Sequence, residues 1–172
     1  MLLTASDFKS KNTVKLAKFL LGKFLVRKIK GKIIRAKIIE VEAYDGFLDK
    51  ASHAYKGKTN RNFVMFGESF VWYVYLVYGM HNMLNLVTGP KDYPAAILIR
   101  GIEVKGKKIN GPGKITKFLE IEREFNNLEA SKKNNLWLED LGFKAQNILK
   151  TPRIGVDYAK ESKDELYRFV LE

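Results

Sequence analysis

The sequence predicts an α+β fold: a single domain over residues 1–172, with a mostly antiparallel curved sheet flanked by helices and one protruding β-hairpin. Three observations lead there. Apolar residues make up 46% of the 172, enough for a packed core. Runs of β-branched and aromatic residues are joined by short glycine turns, Lys30-Gly31 and Gly79-Met80, the spacing of hairpins. Helical signals are confined to two short stretches, and no repeat, linker or low-complexity tract divides the chain.

In chain order, Asn12 or Thr13 caps a predicted helix over 14–21, with Leu16, Phe19 and Leu20 as its apolar stripe and Gly22 as its stop. Residues 23–29 and 33–44 read as the arms of a first hairpin. On the second arm a period of two places Ile34, Ala36, Ile38, Glu40, Glu42 and Tyr44 on one face. That face starts apolar and ends in two carboxylates, so it is expected to leave the core and enter a cleft. Residues 45–67 lack an apolar period and read as a long loop, a common place for function.

Residues 70–78 and 83–88 form the second predicted hairpin, turning at Gly79-Met80, and 95–103 another strand that is apolar until Arg100. A glycine-rich loop at 110–114 feeds a helix predicted over 115–123. Its backbone N–H groups and Lys114 suit a phosphate contact, although it lacks the GxxxxGK[ST] pattern of an NTP-binding loop. A short element at 136–138 and strands near 153–156 and 166–171 close the chain.

Charge is the unusual quantity. Thirty-one Lys and Arg against nineteen acids give +12, which calls for an acidic partner, nucleic acid or an anionic membrane surface. Residues 1–39 hold eleven of the basic residues and a single acid, Asp7, whereas residues 117–172 hold eleven of the nineteen acids. A lysine-rich composition in the whole proteome is the alternative explanation. The absence of cysteine excludes disulfides, thiol catalysis and Cys-based metal sites. The first residues turn polar too soon for a signal peptide, and no apolar run approaches the roughly 18–20 residues that cross a bilayer. A soluble, cytoplasmic protein without a membrane partner is expected.

Two carboxylates two residues apart on a strand, Glu40 and Glu42, can perturb each other's titration and suit general-base activation of water or metal binding. With two histidines and no HxH or HExxH spacing, a hydrolytic metal site is not expected, nor is a cofactor. The plain alternative is one carboxylate paired with an arginine and the other in solvent; Arg100, ending an apolar strand, is a sensible partner for Glu42. Trp72 and Tyr73 read as core aromatics. Tyr78 sits beside Gly79 at a hairpin tip, where it is poorly placed to pack inward, and has the opposite strand parity to Tyr75. Aromatics interleaved with basic residues suit base stacking.

Taken together these strings resemble the alkyladenine (3-methyladenine) DNA glycosylase family. The resemblance runs through Ile39-Glu40-Val41-Glu42-Ala43-Tyr44, Ser52-His53, Arg61-Asn62, Tyr73-Val74-Tyr75-Leu76-Val77-Tyr78-Gly79-Met80, Asn85, Leu98-Ile99-Arg100, Asn110-Gly111-Pro112 and Arg153-Ile154-Gly155-Val156. The chain departs from the pattern at His81 and at Thr59-Asn60. The resemblance implies a monofunctional DNA repair enzyme that flips an alkylated purine out of duplex DNA and hydrolyses its N-glycosidic bond with water, leaving an abasic site. It implies Glu42 as the general base, with Arg100 holding the water. It implies Tyr44, His53 and Tyr75 as the pocket that stacks on the base, and Asn85 at the pocket floor, excluding the guanine amino group. Tyr78 would enter the minor groove as a wedge, with Arg61, Met80 and Lys114 as further DNA contacts and the hairpin directed towards DNA. A monomer is expected, nucleoid-associated in a prokaryote. A non-enzymatic module for structured RNA or DNA would explain the charge and the aromatics but not the paired carboxylates. A saccharide hydrolase fits poorly with the charge.

Overall fold

The structure, a computed structural model, describes residues 1–8 and 12–172; Lys9 and Lys11 of the basic N-terminal segment lie outside them. Helix α1 spans Thr13–Leu20. The Asn12 side chain caps it, accepting from the N–H groups of Val14 and Lys15 at 2.9 and 3.2 Å. Its buried residues include Leu16, Ala17 and Leu20, while Phe19 lies at the edge of the core.

Strands β1 (Phe24–Ile29) and β2 (Lys32–Asp45) form the first hairpin. Lys30 and Gly31 both take positive φ, the mirror-image turn whose twist matches paired strands. The second hairpin pairs β3 (Trp72–Val77) with β4 (His81–Val87) around Tyr78, Gly79 and Met80. Strand β5 (Ala95–Val104) folds back as β6 (Lys107–Asn110), followed by α2 (Pro112–Phe118). Strands β7 (Leu136–Glu139), β8 (Ile148–Thr151) and β9 (Arg168–Leu171) complete one antiparallel nine-stranded sheet of order β3-β4-β5-β2-β1-β7. Strand β6 pairs with β5, and β9 with both β2 and β8.

The long strands β2 and β5 are its axis. One flank of β2 pairs with β1 along residues 32–37 and with β9 at residues 40–42. One flank of β5 pairs with β4 at residues 96–98 and with β6 at residues 101–104. The partner exchange coincides with an irregularity in β2–β5 pairing between Ile38 and Val41, where Glu40 stands opposite Gly101. A Cβ on Gly101 would lie 2.7 Å from the Glu40 Cβ, so only glycine permits this approach of the two backbones.

This irregularity corrects the expected continuous face of β2. Ala36 and Ile38 point into the main core, and so do Val41 and Ala43, of the opposite parity. Strand β5 changes sides in step: Ile102 on one side of the break, and Ile97 and Ile99 on the other, join the same core. Beyond the break, Glu42 and Tyr44 are therefore freed from the core by a kink, not by a gradual change along one face.

Other boundaries differ from the sequence reading. Helix α2 begins at Pro112, which suits a first helical position, and ends at Phe118 because Glu120 adopts a left-handed φ of 48°. Arg123–Phe125 is a separate 3-10 turn. Residues 153–156 form no strand: β8 stops at Thr151, and Pro152 has no N–H for a ladder. The segment crosses the open face of the sheet as a strap before the 3-10 element Asp157–Asp164. Among the described residues no helix is long and apolar enough to cross a membrane.

Candidate active site

On the sheet face turned away from the main core, four strands present alternate residues to one cavity: Tyr44 from β2, Ala96, Leu98 and Arg100 from β5, Met83 and Asn85 from β4, Tyr73 and Tyr75 from β3. The loop after β2 adds Ala51, His53 and Met65, and the strap adds Ile154, Gly155, Val156 and Tyr158. Its volume is about 220 Å³, below the roughly 300 Å³ at which drug-sized sites begin, so it suits one planar ring system.

Glu42 lies directly behind this wall with 0% of its surface exposed. Its Oε2 accepts from the Tyr44 hydroxyl at 2.8 Å, its Oε1 accepts from the Ile154 N–H at 2.8 Å, and the Arg100 Nε stands 3.4 Å from Oε1. Burial pushes the Glu42 carboxyl above its ordinary range, opposed by Arg100, the two hydrogen bonds and Arg153. The result is a carboxylate that is more basic than an exposed one and held in a single orientation. Burial and the adjacent carboxylate raise Tyr44 well above the usual phenol value, so its hydroxyl remains a donor.

The hydrogen bond from Arg100 does not go to Glu42, its expected partner. Its Nε donates to Glu40 Oε1 at 3.1 Å, and Arg168 from β9 donates to the same oxygen at 2.7 Å. Glu42 is the second, longer contact of an arginine engaged elsewhere.

The aromatic part is tightly joined. The His53 ring meets Tyr75 edge-on at 4.5 Å between centroids, Tyr73 and Tyr75 lie 5.1 Å apart, and His53 Nδ1 is 3.3 Å from the Tyr73 hydroxyl. Desolvation, aided by Arg61, lowers the His53 pKa, so the ring is neutral at neutral pH. Burial pushes Tyr73 up to about 12 and also raises Tyr75. Asn85 donates both amide hydrogens to backbone carbonyls of its own hairpin, Tyr73 at 3.1 Å and Met83 at 3.3 Å. With the nitrogen so engaged, the amide oxygen is the end left for the cavity.

The remaining expected residues lie outside the cavity. Tyr78 is 90% exposed and Met80 70% exposed at the tip of the β3–β4 hairpin. Tyr78 owes this position to a left-handed φ of 51° in the turn; strand β3 ends at Val77, so parity with Tyr75 is not the reason. Arg61 donates to the Leu76 carbonyl at 2.9 Å and stacks 5.5 Å from the Tyr75 ring, clamping the long loop to the hairpin. Lys114 is exposed on the first turns of α2.

Several supporting residues were not assigned a role from sequence. Arg153 is buried and reaches Asp49 with both Nη atoms, at 2.5 and 2.8 Å, and also donates to the carbonyls of Ala43 and Ser162. Its guanidinium lies against the Tyr44 and Tyr167 rings at 4.8 and 5.2 Å. This pair anchors the strap, and with it the Ile154 N–H that binds Glu42. Tyr158, donating to the Ala51 carbonyl at 3.1 Å, joins strap and loop at the rim. The partners are about a hundred residues apart in sequence, and no local pattern announces them. Among the described residues, no group of three or more His, Asp or Glu side chains is placed to hold a metal ion.

The family model described as methylpurine-DNA glycosylase matches residues 7–172. Curated relatives include a protein of Methanocella arvoryzae, 43% identical over 95% of this chain and 89% of its own length. One from Borreliella afzelii is 44% identical over 91% of this chain and 89% of its own. A third, from Clostridium perfringens, is 40% identical over 96% of this chain and 94% of its own. All three are named, by inference, for 3-methyladenine DNA glycosylase activity.

Proposed function

The chain belongs to the methylpurine-DNA glycosylase family, and on that premise we propose that it excises alkylated purines of the 3-methyladenine type from duplex DNA by water-mediated hydrolysis. The observation that carries this reading is Glu42: a fully buried carboxylate, oriented by Tyr44 and Ile154, at the back of an aromatic cavity of base-sized volume. Tyr44 and Arg100 both touch Glu42 and both line the cavity, so the carboxylate is one side chain removed from a bound base.

In this mechanism the damaged nucleotide turns out of the helix into the cavity, and Tyr78 takes the place it leaves in the stack. The flip costs a few kcal/mol, which the inserted ring and backbone contacts offset. An alkylated purine carries positive charge or is readily made a good leaving group. Its electron-poor ring gains about 0.5–2 kcal/mol over the faces of Tyr44, Tyr75 and neutral His53. Arg100 and Glu42 hold a water against C1′. As the C–N bond breaks, its electron pair leaves with the purine, the water oxygen bonds to C1′, and Glu42 takes the released proton.

Among the described residues the cavity wall contains no lysine, which supports hydrolysis without an imine step and therefore without strand cleavage. Asn85, held by its two backbone bonds, excludes a guanine 2-amino group by its bulk. The exposed hairpin tip and the excess of basic residues suit a duplex DNA partner.

The direct test is to incubate the protein with methylated duplex DNA and identify the released bases. Release of 3-methyladenine that disappears in Glu42→Gln, with DNA binding retained, is the expected outcome. Normal release by the variant would remove Glu42 from the role of base. Binding without release from any alkylated substrate would favour a purely binding module.

A further inference from the structure

We infer that Glu40 is a positioning residue: it holds the Arg100 guanidinium back from Glu42, leaving that carboxylate available to take a proton. The inference rests on the reading of Glu42 as the base. Its basis is the division of one donor between two carboxylates. Arg100 Nε carries a single hydrogen, and the structure gives it to Glu40 Oε1 at 3.1 Å while Glu42 Oε1 waits at 3.4 Å.

Glu40 is held firmly enough to do this. The same Oε1 accepts from Arg168 Nε at 2.7 Å, and Arg168 Nη1 donates to Thr151 Oγ1 at 3.1 Å, so the closing strands β8 and β9 brace it. From the other side Gly101 makes room for it; a Cβ there would lie 3.3 Å from Glu40 Oε2. The kink in β2 and β5 thus brings the two carboxylates to one arginine and gives the nearer one a second, private cation.

The remaining charged and titratable groups facing Glu42 come from every side of the cavity. They are Arg100 from β5, Tyr44 from its own strand, Arg153 from the strap, and Tyr75 and Tyr158 across the cavity. Of these, Arg100 is the largest influence favouring the charged form. If Glu40 loses its charge, Arg100 need move only about half an ångström to give Glu42 a charge-assisted hydrogen bond. That bond would occupy the oxygen and weaken the base.

The test is single-turnover excision at saturating methylated DNA, measured across pH, for wild type, Glu40→Gln and Arg168→Gln. In Glu40→Gln the acid limb is expected to move down by about one pH unit. The plateau is expected to fall about tenfold at unchanged DNA affinity. Arg168→Gln removes the strand tether but leaves Arg100 on Glu40, and is expected to keep the wild-type limb. An unmoved or upward-shifted limb in Glu40→Gln overturns the inference. So does an Arg168→Gln profile that reproduces it, since Glu40 would then act only as a tether. Should the glutamine variant lose its fold, Glu40→Asp keeps the charge but shortens its reach. It moves the limb in the same direction by less, and an unmoved limb again overturns the proposal. Excision by wild type that Glu42→Gln abolishes secures the underlying reading, so an unshifted Glu40→Gln profile in that enzyme counts against Glu40 alone.

Discussion

Replacing Tyr78 by Ala separates its proposed role as a wedge from every structural role that an aromatic residue usually has. The side chain is 90% exposed, so truncation removes almost no buried surface. Its φ of 51° is equally unfavourable for alanine, so the backbone cost is unchanged as well. Stability should stay within about 0.5 kcal/mol of wild type. Binding is another matter. A side chain stacked against a base contributes about 1–3 kcal/mol, which predicts a 5- to 150-fold weaker Kd for lesion-containing duplex. Thermal melting and fluorescence anisotropy with a duplex holding one lesion measure the two effects side by side. Tyr73→Ala is the natural contrast: that ring is buried, and its loss should cost about 3–5 kcal/mol. A Tyr78→Ala protein that melts like the Tyr73 variant, or that binds lesion DNA as tightly as wild type, would refute the reasoning.

Glu42→Gln should carry a stability signature beside its expected loss of activity. Because burial raises the folded-state pKa, the charged form is disfavoured at neutral pH, and the penalty disappears as pH falls through that pKa. The amide can still accept from Ile154 N–H and give a hydrogen to the Tyr44 hydroxyl, so the variant should melt at or above the wild-type temperature at pH 7. The difference should vanish near pH 4, and a lower melting temperature at pH 7 would contradict it. Arg153→Met strands Asp49 as a buried, unpaired charge and should cost about 3–5 kcal/mol in urea unfolding, far beyond the effect of an exposed arginine. A loss below about 1 kcal/mol would mean that the strap is not anchored by this pair. Lys114→Ala, acting only on phosphate, should weaken all duplexes alike and reduce the slope of log K against log salt by about one. A lesion-specific loss would argue against a backbone contact.

Much of this molecule was readable because its instructions are local. Gly31 and Gly79, both at positive φ, mark the two tight turns and so the hairpins on either side, although the second turn begins at Tyr78, one residue before the expected Gly79-Met80. The cap at Asn12 depends on the adjacent N–H groups alone. Glu42, Tyr44, Arg100 and the aromatic run of β3 share spacings distinctive enough to suggest their family from the chain alone. The β3–β4 ladder is regular, which is why Tyr75, Met83 and Asn85 reach one cavity together with Tyr73, read from the sequence as a core aromatic.

Tertiary structure decided what those residues are joined to. The period-two rule fails at Glu40 because a strand keeps its faces only while its ladder is regular, and the ladder breaks where Gly101 admits Glu40. The second cation on Glu40, Arg168, comes from a strand 128 residues away. The Ile154 N–H that orients Glu42 comes from 112 residues away, on a segment anchored by a buried Arg153–Asp49 pair. Composition and spacing pointed to a basic α+β protein with paired carboxylates and a run of aromatics, and the resemblance of its motifs to a family supplied the candidate base and the aromatic wall. Which carboxylate is buried, which is bound by arginine, and how the exposed ring at the hairpin tip is separated from the cavity depend on chain segments that meet only when the sheet closes.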